Sequence, residues 1–274
     1  MAATVKLSFT VLSGTWISAS TQDADFPVTN LASPWRPFQP WKTTAGGAQN
    51  AVYDLGAATT VEIIALLRCN FTSVVIQGNA TDSWGAPSYT SGTITLTQNP
   101  WNWRYNLALL PVGFTYRFLR ISIPSQTPVA EFKRTALSIY LIGGVWIGAV
   151  TASVDNPLWD VEYETFNPLD RQEPRHRGWA QEASMGEPKL MIIGRRAGTM
   201  STTTPAVGDE LATWQSIERQ AWAQGNRMLW YENLGNTSQV CVVRNLQMPH
   251  WVLHGTQAEG PWELEEVVGG PSGT

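Results

Sequence analysis

"NAVYDLGAATTVEIIALLRCN", residues 50–70, decides the fold. Its opening alternates apolar and polar residues, and "VEIIALL" is a continuous apolar run, the patterns of a half-buried and a fully buried strand. Asp54-Leu55-Gly56 stands between them. An aspartate accepts a hydrogen bond from the backbone two residues on, and a glycine takes the positive φ that a Cβ resists. The expectation is a strand that ends in a tight turn and a core strand that follows it. Val52 and Leu55, then Val61, Ile63 and Ile64, would enter one core.

Outward from this stretch the same pattern recurs. "SVVIQGN" (73–79), "YRFLRISIP" (116–124), "LSIYLI" (137–142), "WDVEYETF" (159–166), "KLMIIG" (189–194) and "QVCVVRNLQM" (239–248) are short apolar or alternating runs. Clusters of Gly, Pro, Asn, Asp and Ser separate them, which makes an all-β chain. One helix is predicted, over about 209–224. Leu211, Trp214, Ile217 or Glu218, Ala221 and Trp222 recur at three- and four-residue steps, Asp209 and Glu210 favour its start, and Gly225-Asn226 ends it. Its tryptophan face is expected to pack on a sheet.

The chain has 274 residues, enough for two cores. Its character changes near 148–156, from short strands with long Trp, Pro and Gly loops to longer strands with the helix. We therefore divide it into residues 1–150 and 151–274. Residues 135–154, "TALSIYLIGGVWIGAVTASV", carry no charge and have the length of a membrane span. Gly143-Gly144 splits them, so two buried strands are expected. The N-terminal Val5, Leu7, Phe9 and Val11 alternate as in a strand rather than forming a signal peptide. No membrane partner is expected.

With 22 acidic and 18 basic residues the net charge is −4, which provides no field for specific nucleic-acid binding. Cys69 and Cys241 lie in opposite halves and read as buried free thiols. Fourteen tryptophans are many for this length and point to contact surfaces, because a rigid ring covers much area at small entropic cost. The loops of the first half hold the candidate ligand or partner residues: Trp35, Arg36, Phe38, Trp41 and Lys42, then Trp84, Tyr89, Trp101 and Trp103. A second candidate contact is the basic segment with Arg171, Arg175 and Arg177 beside Glu173 and His176, since guanidinium groups pair bidentately with carboxylates or phosphates.

A catalytic constellation is not found. Glu162 and Glu164 alternate along one strand face, where a solvated pair is expected rather than a glycosidase pair. His250 and His254 lack a helix to bring them together and a fourth ligand near Cys241. There is no phosphate-binding glycine loop and no nucleophile elbow. No enzyme activity, cofactor or metal is expected. Asn70, Asn79 and Asn236 open N-x-[ST] triplets, a motif too short to weigh.

The first half resembles the discoidin-type, galactose-binding-like β-sandwich modules. The carriers are Ser18-Ala19-Ser20, "FPVTNL" (26–31), "PWRPFQPWKT" (34–43), "AVYDLGAATTVEIIALLRCN" and "SVVIQGNATDSW" (73–84). In this version the stretch is similar to a form found in tail proteins of tailed bacteriophages. Secreted discoidin modules often close with a disulfide, which this sequence cannot place. The second half resembles the β-sandwich of phage distal tail or tail-tip proteins through "FNPLDRQEPRHRGWAQ" (166–181), residues 191–233 and "GPWELEEV" (260–267).

The resemblance implies two tandem β-sandwiches: a discoidin-like jelly roll, then a distal-tail-like sandwich with one packed helix. It further implies a structural virion protein of the tail tip or baseplate, assembled in the bacterial cytoplasm. As such it would form a homo-oligomeric ring, six copies before three, and meet tail-tube, tape-measure, hub or receptor-binding proteins. The alternative is a soluble carbohydrate-binding protein that takes host-surface or other glycans on the Trp and Arg loops.

Overall fold

The computed structural model describes residues 4–34, 39–98, 105–130, 138–150, 152–155, 162–166, 189–199, 216, 219–220, 227–233, 238–245, 252–254 and 257–266. Side chains are described from Lys6 to position 150, and after that only at 216, 219, 220 and 227–231. The chain is all-β and folds as two compact units. One gathers Met1–Phe9, Thr151–Asn236 and Cys241–Val267; the other centres on Thr10–Val150.

The Thr10–Val150 unit is a sandwich. Strands β2 (Thr15–Ala19), β4 (Gln49–Thr60), β6 (Ser73–Asn79), β7 (Tyr89–Thr95) and β10 (Thr115–Ile123) form a five-stranded sheet in the order β2-β4-β10-β6-β7. Strands β5 (Ile63–Cys69), β8 (Thr97–Gln98), β9 (Tyr105–Leu109) and β12 (Gly144–Gly148) form a four-stranded sheet, β12-β5-β9-β8. A short pair, β3 (Trp41–Lys42) with β11 (Leu141–Ile142), completes it. The inward residues of both sheets make one core: Ala51, Tyr53, Val74, Ile76, Leu119 and Ile121 from the first, Ile64, Leu66, Leu107, Val145 and Ile147 from the second. Their alternation along each strand dictates this, because successive side chains point to opposite faces.

Residues 141–148 form two strands around Gly143, as the Gly-Gly split predicts. Gly144 is required by contact: a Cβ there would lie 2.7 Å from the Pro34 carbonyl oxygen.

The turn expected at Asp54-Leu55-Gly56 is corrected in position. Strand β4 continues to Thr60, and the chain leaves it only at Val61-Glu62. The local chemistry is as read: Gly56 has φ +78° and its N–H donates to Asp54 Oδ1 at 2.7 Å. The result is a bulge rather than a reversal. Phe118 pairs with Asp54 and Tyr116 with Thr59, so four residues of β4 stand against Arg117 alone. Leu55, Val61 and Ile64 join the core, whereas Val52 is buried on the opposite face, between Ser18 and Arg120 across the sheet.

The other unit holds one eight-stranded antiparallel sheet. It comprises β1 (Thr4–Ser8), β13 (Ala152–Asp155), β14 (Glu162–Phe166), β15 (Lys189–Thr199), β16 (Arg227–Asn233), β17 (Ser238–Asn245), β18 (Val252–His254) and β19 (Gln257–Glu266). The path runs β13-β1-β16-β17-β19-β15-β14, with β18 on β19. Strand β1, assigned from sequence to the first half, lies inside this sheet, pairing with β13 and β16. The sandwich is thus inserted in sequence between β1 and β13. Leu7 opposite Trp230 is buried, as are Met228, Leu229 and Tyr231. Of the predicted helix, Ser216, Arg219 and Gln220 are described and helical, with Gln220 Nε2 donating to Ser216 Oγ one turn back at 3.1 Å. Trp214 and Trp222 lie outside the described residues.

Candidate recognition site

The outward face of the five-stranded sheet carries the one described cluster that joins a tryptophan to charged and amide side chains. The loop between β6 and β7, "ATDSWGAPS" (80–88), is fixed at its root by Asn79. Asn79 Nδ2 donates to the Ser83 carbonyl at 2.6 Å, while its Oδ1 accepts from the Ala80 N–H at 2.9 Å and Ser88 Oγ at 3.0 Å. A short polar side chain that serves the backbone in this way favours a turn over continued strand.

The loop places Trp84 against β10. Trp84 Nε1 donates to Asp82 Oδ1 at 2.6 Å, and the Arg120 guanidinium lies 4.6 Å from the Trp84 ring centroid. Such stacking is a cation–π contact, worth about 0.5–1 kcal/mol at exposed sites. Arg120 Nε donates to Gln77 Oε1, its cross-strand neighbour, at 2.7 Å. The guanidinium is thereby held from two sides. Partial burial pushes Arg120 below the usual arginine range, against the opposing pull of Asp82.

Behind the loop stands an aromatic group. Tyr89 and Tyr116 each meet Phe114 edge-on, with centroids 5.2 Å apart, and Tyr116 OH reaches the Ser88 carbonyl at 3.5 Å. Gly78 makes room for these rings: a Cβ would come within 2.6 Å of Phe114. Burial, with Tyr116 nearby, raises the Tyr89 pKa.

A second arginine covers the same face. Arg117 lies 4.8 Å over the Phe118 ring and makes a bidentate pair with Asp54, Nε to Oδ1 and Nη2 to Oδ2, both at 2.8 Å. The hydrogen bond from Arg117, with that from Gly56, holds the Asp54 carboxyl below its usual value. Phe118, an apolar residue facing outward, is buried beneath Arg117, and Val52 on the same face is buried as well.

The candidates read from sequence divide accordingly. Trp84 belongs to the cluster, and Tyr89 to the rings behind it. Trp41 is corrected: it is fully buried, its Nε1 donating to the Thr21 carbonyl at 3.2 Å, and is a core residue with no ring face to offer a ligand. Lys42 Nζ stands 3.4 Å above the Phe26 ring. Trp35, Arg36, Phe38, Trp101, Trp103, Arg171, Arg175 and Arg177 lie outside the described residues. Arg120, Gln77 and Asp82 were not singled out from sequence. The available signal was Arg120 itself, a charge between Leu119 and Ile121 in a strand whose alternate residues are core.

Among the described residues no group of three or more His, Cys, Asp or Glu is arranged to hold a metal ion, and no helix is long and apolar enough to cross a membrane. Cys69 is a buried free thiol. The cluster offers an aromatic ring, a fixed guanidinium, an amide and a carboxylate. Such groups are suited to stacking on flat apolar faces and to hydrogen-bonding polar ones.

No protein-family model and no curated protein matches the chain. Solved structures similar to it include a family 32 carbohydrate-binding module from a Clostridium perfringens family 31 glycoside hydrolase, at 12% identity and TM-score 0.39, over 49% of this chain and 90% of that one. Another is a chitosan-binding module of a chitosanase/glucanase from Paenibacillus sp. IK-5, at 18% identity and TM-score 0.35, over 53% and 99%. A third is reduced XRCC1 bound to the DNA polymerase β catalytic domain, at 12% identity and TM-score 0.37, over 51% and 99%. At such identities and scores, with glycan binders and a polymerase complex side by side, these likenesses single out no function.

Proposed function

We propose that this chain is a non-enzymatic recognition protein whose inserted sandwich binds glycans on the outward face around Trp84, the eight-stranded unit serving to attach it to a larger assembly. The observation that carries this is the fixed arrangement of Trp84, Arg120, Gln77 and Asp82 on one sheet face. A sugar presents C–H bonds to a ring and hydroxyls to amide, carboxylate and guanidinium groups, and the cluster supplies each of these. Glycan-array screening of the full chain, followed by calorimetry of the best hit against Trp84→Ala, tests it. Binding lost at least tenfold in the variant, with a stability loss of about 1 kcal/mol or less, is expected. An array without hits above background contradicts the reading.

A second reading concerns the assembly. The resemblance of both halves to phage tail proteins, together with the insertion of a sandwich into a sheet unit, favours a tail-tip component in which the sheet unit forms a ring and the sandwich recognises a surface. Closed rings use heterologous contacts between different surfaces of neighbouring copies, and six copies are expected before three. Light scattering of the purified chain and mass spectrometry of virions test this. A monomer at all concentrations, or absence from particles, would remove it.

A further inference from the structure

We infer that the ligand bound around Trp84 carries a carboxylate, so that the glycan is an acidic one bearing uronic or sialic-type sugars. This rests on the glycan reading above.

Arg120 engages Nε with Gln77 Oε1, and its plane is laid on Trp84. Among the described residues its Nη1 and Nη2 have no hydrogen-bond partner, so the two terminal nitrogens remain as a fork of parallel donors. Gln77 has its oxygen engaged, and among the described residues its Nε2 has no acceptor. Among the described residues Asp82 accepts at Oδ1 from Trp84 Nε1 alone, which leaves Oδ2 and the second lone pair of Oδ1 as acceptors. The open capacity leans towards donors: the N–H groups of two guanidinium nitrogens and an amide nitrogen, against the remaining lone pairs of the Asp82 carboxylate and one of Gln77 Oε1.

A neutral sugar presents hydroxyls, each both donor and acceptor, and favours a balanced set. A carboxylate presents two acceptors in one plane, and a guanidinium edge matches it with two parallel N–H···O bonds, which a lysine ammonium cannot reproduce. The cost of partly burying the Arg120 charge, which Asp82 already opposes, is offset further when a ligand carboxylate pairs with the fork. Arg117, by contrast, already holds a carboxylate, that of Asp54, in this bidentate geometry. The same strand therefore displays one filled fork and one open one.

The test uses the full chain and two matched pairs of probes, 3′-sialyllactose and trigalacturonate, each against its methyl ester, which keeps the sugar and removes the charge. Calorimetry at low and at 0.5 M salt is expected to show at least one acid binding tenfold or more above its ester, with the margin shrinking in salt. Arg120→Lys is expected to lose tenfold for the acid while keeping the net charge, and Arg117→Lys to change it less than threefold. Acid and ester bound equally well would overturn the inference and leave the glycan reading intact. If only neutral glycans bind on the array, the inference falls alone. If no glycan binds, both fall. The acid–ester comparison on the unaltered protein decides the matter even if a variant fails to fold.

Discussion

Arg117 and Asp54 face each other across the bulge in β4, joined by two 2.8 Å hydrogen bonds, and Asp54 also accepts from the Gly56 N–H at 2.7 Å. The pair therefore fixes both the bulge and the arginine that lies over Phe118. Because Arg117 is exposed, salt and water weaken the pair, and its effect on stability is expected to be visible mainly through pH. The Asp54 pKa is depressed in the fold, so its contribution is present above the ordinary value of 3.8 and is lost as pH falls below it. Acid unfolding followed by fluorescence should show Asp54→Asn less sensitive to pH below about 4 than the unaltered chain. Identical acid profiles would contradict the role given to Asp54.

Tyr53 makes the opposite case at alkaline pH. Its ring is buried beside Trp16 at 4.9 Å, its OH donates to the Leu12 carbonyl at 2.9 Å, and burial pushes its pKa up to about 12. The folded-state value lies above the ordinary 10.0, so the stabilisation is complete below pH 10 and is lost as pH rises towards 12. Spectrophotometric titration should find one tyrosine that ionises near 12, absent in Tyr53→Phe.

Gly144→Ala tests the close approach of β12 to Pro34. Backbone cannot move aside as a flexible side chain does, so the Cβ, 2.7 Å from the Pro34 oxygen, is expected to cost about 1–3 kcal/mol in a denaturant melt. Gly85→Ala, where a Cβ meets nothing within 4 Å, is expected to melt as the unaltered chain does.

Trp41→Ala removes a fully buried ring and is expected to cost about 3–5 kcal/mol. Trp84→Ala, on the surface cluster, should cost about 1 kcal/mol or less, the size of an exposed cation–π contact. The contrast separates two tryptophans that look alike in sequence.

That contrast shows where the sequence was legible. The runs 73–79 and 116–124 were legible as strands, since period two is a local property, and β6 and β10 form there with Val74, Ile76, Leu119 and Ile121 in the core. Asp54 and Gly56 were legible as a bend because their chemistry is local as well. Whether the bend reverses the chain depends on pairing with Arg117, 63 residues away, and that was not. Trp41 looked like a loop residue among Pro, Arg and Lys, but β3 pairs with β11, a strand 100 residues later, and turns it inward. Strand β1 was recognisable as a strand; its partner β16 lies more than 200 residues on, beyond any local signal. Arg120 acquires its role only when loop 80–88 folds onto β10.

The insertion of the sandwich has a practical consequence. Removing residues 1–150 also removes β1 from between β13 and β16, leaving both without that partner. A truncated chain of 151–274 is therefore expected to expose strand edges and aggregate. Replacing 10–150 by a short Gly/Ser linker keeps β1 and is expected to remain soluble.

Residues 10–150 are proposed as a recognition unit that folds on its own. Expressed alone, they should melt in one cooperative transition and bind the glycan selected by the full chain with a Kd within threefold of it. A peptide that fails to fold, or one that folds and leaves binding to the linker-replaced remainder, would contradict the account.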